Sequence, residues 1–185
     1  MIAESVYFIA IVLPEHIQSK VIEIQTDVSN RFGSQSALKV VPHITLKSPF
    51  KISSAERLRA IEWFKNMNLD IQSFDLELRN FGAFTNPKHP VIYIAPMTNP
   101  SLEILQKTIL KNFIDAFPDI GLMSMELEFR PHVTIAYRDL KPEMFNKAWS
   151  EFIDRRFSEN FKVGEIHLLQ HDTKRWNIIQ TCDLL

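Results

Sequence analysis

A short pattern occurs twice in this chain, and it constrains the fold more than any other feature. Pro-His-Ile-Thr-Leu fills residues 42–46 and Pro-His-Val-Thr-Ile fills residues 131–135, so the two histidines and the two threonines are each 89 positions apart. A third match, between Tyr7 and Tyr93, has a spacing of 86. Apolar residues recur by coincidence in any two strands. A shared Pro, His and Thr at one spacing indicates instead an internal duplication of this 185-residue chain.

The hydrophobic patterns predict the same order of elements in both halves, 1–85 and 86–185. Each half is expected to run strand, helix, strand, helix, strand, within one domain of two lobes that covers residues 1–185. Helices are predicted to begin near Pro14, Ser53, Asn99 and Pro142. Strands are predicted over Val6–Leu13, Leu38–Leu46, Phe74–Arg79, Val91–Ala95, Met125–Ala136, Phe161–Gln170 and Trp176–Cys182.

Alternation along the two repeat strands divides their side chains between two faces. In the first copy, His43, Thr45 and Lys47 are predicted on one face, opposite an apolar face that includes Ile44. In the second copy, the apolar face carries Met125, Leu127, Phe129, Val133 and Ile135, and the polar face carries Glu126, Glu128, Arg130, His132 and Thr134. Each half therefore presents one imidazole, one hydroxyl and at least one cation together.

A sheet with helices on one face and an open polar face is a common α+β arrangement. We therefore expect a bilobal α+β fold with pseudo-twofold symmetry, in which two mainly antiparallel sheets line a central cleft and the helices pack outside. The last strands are free to cross between the lobes. Such symmetry brings the two histidines and the two threonines together across the cleft.

Two imidazoles and two hydroxyls in one cleft suit the chemistry of a phosphodiester. A neutral imidazole takes a proton from the attacking hydroxyl or water, and a protonated one gives a proton to the leaving oxygen. Thr45 and Thr134 are able to donate hydrogen bonds to the non-bridging oxygens. Lys47 and Arg130 are candidates to stabilise the charge of the transition state. No metal or cofactor is expected, because the base activates the water.

These residues resemble the two-histidine phosphoesterase superfamily, which includes proteins called 2′-5′ RNA ligases and RNA 2′,3′-cyclic phosphodiesterases. The resemblance is carried by the paired His-x-Thr motifs, one in each half. It extends to Phe8-Ile9-Ala10 with Leu13-Pro14-Glu15 at the start of the chain, and to Phe81-Gly82-Ala83-Phe84 in the middle. Many relatives carry an arginine near the start of the first strand, where this chain has Tyr7 and Phe8.

The resemblance implies a bilobal α+β fold in which His43 and His132 act as base and acid and Thr45 and Thr134 bind phosphate. The implied substrates are RNA ends or small nucleotides with cyclic 2′,3′ or 2′–5′ phosphate linkages. Phe84 is a candidate for stacking on a base. Two matters stay open from the sequence: which histidine is the base, and whether hydrolysis or 2′–5′ ligation is the outcome.

Composition excludes other classes of function. The net charge of −1 and the pI near 6.6 argue against coating of nucleic acid by bulk electrostatics. Cys182 is the single cysteine, so a disulfide framework and cysteine metal clusters are excluded. The apolar run from Val6 to Leu13 is far shorter than the roughly 20 residues of a membrane span. We expect a monomer in the cytoplasm with no membrane partner.

Two alternatives from other classes remain at this point. The first is a non-catalytic module that binds RNA or a nucleotide in the same cleft without turnover. The second is a metal protein that uses His167 and His171, which lie four apart and share a strand face, with Asp172 as a neighbour. A histidine pair with no firm third ligand is more often found near the surface of a hairpin, and that interpretation is preferred.

Overall fold

The computed structural model describes residues 4–185 as eight strands and five helices. The strands are β1 (Glu4–Val12), β2 (His43–Ser53), β3 (Phe74–Phe84), β4 (Val91–Pro96), β5 (Val133–Ala136), β6 (Ser158–Val163), β7 (Glu165–His171) and β8 (Trp176–Asp183). The helices are α1 (Glu15–Phe32), α2 (Arg57–Lys65), α3 (Pro100–Ala116), α4 (Ser124–Leu127) and α5 (Pro142–Phe152). Short 3₁₀ turns at Ser36–Lys39 and Ser54–Glu56 precede β2 and α2, respectively.

The strands form one sheet in the order β6-β3-β4-β5-β2-β1-β7-β8, in which every neighbouring pair is antiparallel. The predicted α+β fold is confirmed, and the two expected sheets are the four-stranded halves of this single sheet. The halves meet where β2 pairs with β5 through Ile44 and Val133. The third strand of each sequence half pairs in the other half, because β3 joins β4 and β7 joins β1.

Helices cover one face of the sheet and enclose the main core. The apolar stripe of α1, which includes Ile17, Val21 and Val28, is buried. Gly33 ends this helix with a φ of 77°, a left-handed conformation that glycine adopts without strain. The side chain of Asn99 caps α3 by accepting from the Leu102 N–H at 3.2 Å. Helix α1 packs on β5 and α3 packs on β2, so each half's first helix lies under a central strand.

The predicted long strand from Met125 to Ala136 is wrong over its first part. Residues Ser124–Leu127 form one turn of helix, and the strand covers only Val133–Ala136. The Glu126 carboxylate accepts from the Met123 N–H at 2.7 Å and closes this turn. Alternating apolar residues suggested a strand, but Met125 and Leu127 are exposed rather than directed into the core.

Two other predicted strands have different bounds in the structure. The strand predicted over Leu38–Leu46 begins at His43 and continues to Ser53. The single strand predicted over Phe161–Gln170 is two strands, which are separated at Gly164. The break at Gly164 separates β6, which pairs with β3, from β7, which pairs with β1.

Within residues 4–185, no helix has the length and apolar character needed to cross a membrane.

Candidate active site

The four repeat side chains lie on both sides of the seam between β2 and β5. The register that pairs Ile44 with Val133 places His43 opposite Thr134 and Thr45 opposite His132. Residues directly opposite each other have Cβ atoms about 5 Å apart, and diagonal neighbours such as the two histidines lie about 7–8 Å apart. The two imidazoles are therefore diagonal neighbours on the open face of the seam, and both line one cavity.

His43 is held by the backbone just before its own strand. Its Nδ1 lies 2.7 Å from the Val41 carbonyl oxygen, which only accepts, so Nδ1 carries the proton in the neutral ring. The Nε2 atom is then left as a hydrogen-bond acceptor for a substrate. Burial lowers the pKa of His43 to about 4; the bond to Val41 opposes this shift, and the nearby charge of His132 adds to it. The Phe8 ring lies 4.9 Å from the imidazole and contributes to this apolar environment.

His132 has the same arrangement in the other half. Its Nδ1 donates to the Arg130 carbonyl oxygen at 2.8 Å, so its Nε2 is also left for a substrate. Burial lowers the pKa of His132, and the bond to Arg130 works against this shift. The Phe84 ring meets the imidazole edge-on at 5.1 Å, and the Tyr93 ring lies at 5.5 Å. Each histidine is thus held by a carbonyl two residues earlier and lies beside an aromatic ring.

Sequence reasoning does not identify Tyr93 as a site residue, although the repeat pairs it with Tyr7. The two tyrosines are not equivalent, because Tyr7 is fully buried in the core under the helices and Tyr93 lies beside His132. The Tyr93 ring also packs 4.6 Å from Phe84 and lies over Gly82 on the neighbouring strand. A Cβ atom at Gly82 would come within 2.5 Å of that ring, so glycine is required for this contact.

A cavity of about 620 Å³ opens over the seam, a volume in the range of small-molecule sites. Six of the seven candidate residues line it: His43, Thr45, Phe84, Arg130, His132 and Thr134. Further apolar and aromatic side chains form its walls, including Phe8, Val40, Val41, Phe129, Tyr137 and Trp176. These wall residues come from five separate segments, so no local pattern in the sequence signalled their convergence.

The predicted position of Lys47 on the histidine face is wrong. Ala10 of β1 pairs with Thr45, but Ile9 pairs with Lys47, so β2 has one extra residue at this point. Such a bulge shifts the alternation of side chains, and Lys47 turns to the core face. Its side chain is 1% exposed and forms an ion pair with Glu126 at 2.9 Å. Lys47 is therefore left out of the candidate site.

Arg130 lies at the mouth of the cavity with a largely exposed side chain. Its guanidinium pairs with the Glu128 carboxylate at 3.2 Å, and its carbonyl holds His132. Arg130 also acts on Tyr93: burial raises the pKa of the Tyr93 hydroxyl, and the charge of Arg130 reduces that shift. The cation thus lies on the His132 side of the cavity.

The histidines of the alternative metal site have other contacts. His167 is buried and lies 3.3 Å from the Glu165 carboxylate, and the His171 ring packs 5.0 Å from Trp176. In the part of the chain that the structure describes, no group of three His, Cys, Asp or Glu side chains has metal-binding geometry. Nothing in these contacts favours a metal site here.

The single curled antiparallel sheet, with a His-x-Thr pair from each half facing one cavity, defines a two-histidine phosphoesterase-like protein. A family model described as the 2′-5′ RNA ligase superfamily matches residues 13–175, most of the chain. This chain belongs to that superfamily, and the predicted membership of the two-histidine phosphoesterases is confirmed.

The relatives agree with this family. A protein of Bacillus cytotoxicus is 26% identical over 172 residues, which cover 90% of this chain and 92% of the relative. One of Bacillus licheniformis is 24% identical over 163 residues, which cover 88% and 90%. Both carry the name "putative phosphoesterase".

Solved structures show the same fold at lower identity. LigT of E. coli, crystallised with 3′-AMP, has a TM-score of 0.71 at 17% identity, with 98% of this chain and 99% of LigT covered. A protein of Thermus thermophilus has a TM-score of 0.66 at 19% identity, with 97% of each chain covered.

Proposed function

We propose that this protein is a metal-independent phosphoesterase that acts on RNA or nucleotide 2′,3′-cyclic phosphates or on 2′–5′ phosphodiester linkages. The observation that carries the proposal is the pair of imidazoles beside one cavity, each with Nδ1 held by a carbonyl. The family model supports phosphoesterase chemistry. LigT has been crystallised with 3′-AMP, ATP and NADP+, which supports a nucleotide as the ligand class.

In the proposed hydrolysis, the Nε2 atom of one histidine takes a proton from water as the water oxygen bonds to phosphorus. The bond from phosphorus to one ribose oxygen breaks, and the Nε2–H of the other histidine gives its proton to that oxygen. The product is a phosphomonoester, and proton exchange with solvent restores both imidazoles. Attack by a ribose hydroxyl in place of water runs the same proton transfers toward 2′–5′ ligation.

We assign His43 as the base and His132 as the acid. The pKa of His43 is lowered to about 4, partly by the charge of His132, so a proton shared by the pair is held by His132. A bound phosphate anion raises the pKa of the imidazole that contacts it, because an opposite charge favours the protonated form. Substrate binding therefore stabilises the protonated acid that the leaving oxygen needs.

The remaining cavity residues are assigned to binding. The hydroxyls of Thr45 and Thr134 donate to the non-bridging oxygens, and Arg130 stabilises the charge that develops on them. Phe84 offers a flat apolar surface to a nucleobase on the His132 side. These roles need no Lewis acid, because the base and the donors supply water activation and charge stabilisation.

The test is a panel of nucleoside 2′,3′-cyclic phosphates and 2′–5′ dinucleotides, with products identified by mass. Turnover should persist in EDTA and should fall by at least about 100-fold in His43→Ala and in His132→Ala, since general acid–base catalysis contributes at this scale. His16→Ala, an exposed histidine at the start of α1, is the matched control. Activity that survives both site variants would overturn the mechanism. Tight nucleotide binding without turnover would favour the non-catalytic module instead.

A further inference from the structure

Lys47 and Glu126 form a buried ion pair that the proposed chemistry does not use. The Lys47 Nζ lies 2.9 Å from Glu126 Oε1, and the two side chains are 1% and 3% exposed. The same Oε1 accepts from the Ser48 N–H at 2.7 Å. The backbone oxygen of Glu126 accepts from Gln106 of α3 at 2.9 Å, and the Lys47 ammonium lies 4.5 Å from the ring of Phe113. Both carboxylate oxygens and the backbone oxygen of Glu126 therefore accept hydrogen bonds, which attach its segment to β2 and α3.

Stability alone is a weak reason to bury such a pair. Removing two charges from water is costly, and replacing a buried ion pair with well-packed apolar groups of similar volume is often neutral or stabilising. The position of the pair in the fold points to a different role.

The seam between the two halves has little pairing of its own. Strands β2 and β5 meet at one registered pair, Ile44 and Val133, so the ladder alone does not fix their relative position over a long stretch. Glu126 precedes β5 in the chain and binds Lys47 and Ser48 of β2, just beyond Thr45. The pair therefore bridges the seam at the end where Thr45 faces His132.

A second carboxylate bridges the other end of the seam. Asp139 follows β5, and it accepts from the Ser34 hydroxyl at 2.9 Å and from the N–H groups of Gln35 and Ser36 at 2.9 and 3.3 Å. These residues lead into β2 on the side of His43. Strand β5 is thus flanked by two carboxylates: Glu126 binds the backbone of β2 itself, and Asp139 binds the segment that precedes β2.

We propose that Glu126, with Lys47, and Asp139 are positioning residues that fix the distance between the two histidines across the seam. We call them the two carboxylate clamps. The proposal rests on the proposed function, because it assigns to the clamps the alignment of the acid and the base on one phosphorus. A displacement near 1 Å at such a site costs up to about 100-fold in rate.

The decisive variant is Lys47→Met with Glu126→Gln, which keeps both shapes and removes both buried charges. We expect it to fold, with kcat on a cyclic phosphate lowered about 10- to 100-fold and KM changed by less than kcat. The matched control is Lys111→Met with Asp115→Asn, an exposed ion pair on α3, which should keep the wild-type kcat. A folded double variant with wild-type kcat would overturn the role of this clamp.

Asp139→Asn tests the second clamp independently. If the buried double variant fails to fold, this variant still tests the proposal. Asp139 is exposed, so the substitution leaves the core intact. We expect a fall in kcat in the same direction, with secondary structure and thermal midpoint close to wild type. Unchanged kcat in a folded Asp139→Asn protein would remove Asp139 from the proposal.

A binding experiment separates the clamps from the proposed function. Inorganic phosphate is titrated into each protein, and the imidazole resonances of His43 and His132 are followed by NMR. In the wild type both resonances should shift together, because one phosphate contacts both rings, and in the clamp variants the apparent Kd should rise, because the rings no longer meet the phosphate together. If no substrate is turned over, this result still tests the clamps. If the wild type turns over substrate but phosphate binds the variants equally well, only the clamp proposal fails.

Discussion

The two histidines are held by the same kind of local hydrogen bond, from Nδ1 to the backbone carbonyl two residues earlier. In each motif the ring turns back to a carbonyl two residues earlier, Val41 for His43 and Arg130 for His132. The bond fixes the tautomer and directs Nε2 away from the backbone. Because each accepting carbonyl belongs to the backbone of the residue just before the repeated pentapeptide, the arrangement recurs in both halves although the side chains of Val41 and Arg130 differ.

The first prediction at this scale concerns the pH dependence of the rate. Burial lowers the pKa of both His43 and His132 in the free protein. Since kcat/KM reports the ionisations of the free enzyme, its bell-shaped profile should have its maximum below about 6.5, the ordinary histidine value. The low-pH limb should lie near about 4, the value to which burial lowers the pKa of His43. A maximum well above neutral pH in kcat/KM, measured from about pH 3.5 to about pH 9, would contradict the assignment.

The second residue-scale prediction concerns the threonines. Thr45→Val and Thr134→Val each remove one hydroxyl donor and keep the shape of the side chain. Each should lower kcat/KM on a cyclic phosphate about 10- to 100-fold, the value of one hydrogen bond to a charged group. Thr26→Val, an exposed threonine on α1, serves as the control and should match wild type. Equal rates in all three variants would remove the threonines from the site.

The sequence predicts the face on which a strand residue lies only where side chains alternate regularly between the two faces. His43 and Thr45 share a face as expected, because the strand is regular between them and β1 pairs with both in sequence. Lys47 leaves that face because the extra residue in β2 shifts the alternation. A bulge depends on pairing with a strand far away in the sequence, so the local pattern does not reveal it.

At the scale of elements, the longest wrong strand has a specific cause. Met125, Leu127 and Phe129 alternate with polar residues as in a half-buried strand, but Glu126 is the buried member of this stretch. Its ion pair with Lys47 turns the expected polar side inward and exposes Met125 and Leu127. The sequence does alternate with a period of two, but the buried ion pair between Glu126 and Lys47 determines the local structure instead.

The contact between β3 and β4 gives a prediction for one element pair. Gly82→Ala places a methyl group within 2.5 Å of the Tyr93 ring, so the ring must leave its place beside His132. We expect a loss of about 1 kcal/mol in the free energy of unfolding and a higher KM for nucleotides. Gly164→Ala, where a Cβ meets nothing within 4 Å, is the matched control. Urea unfolding and steady-state kinetics measure the two effects, and an unchanged KM would exclude Tyr93 from the binding surface.

At the scale of the whole molecule, the repeat predicts two related halves but not how they join. The motif spacing reflects the equivalence of β2 and β5, which lie side by side at the centre of the sheet. Strand β3 pairs with β4, its neighbour in sequence, but β6 pairs with β3 and β7 pairs with β1 over long distances along the chain, which no local pattern encodes. The cavity walls come from these exchanged elements and their neighbours, so the motif side chains were predictable and their surroundings were not.

The half-buried His43 also links the stability of the molecule to pH. The pKa of His43 is about 4 in the folded chain and near 6.5 in the unfolded chain, so between these values the unfolded state binds more protons. The free energy of unfolding must therefore fall as pH falls from about 7 toward about 4, and His43 contributes part of this slope. His43→Gln should flatten the slope measured by urea unfolding, because glutamine does not titrate, and exposed His16→Gln should leave it unchanged. Carboxylates with lowered pKa, such as Asp172, contribute equally in both variants, so the difference isolates His43. Equal slopes in the two variants would mean that the His43 imidazole is freely hydrated in the folded protein, and the low-pKa base on which the assignment depends would not exist.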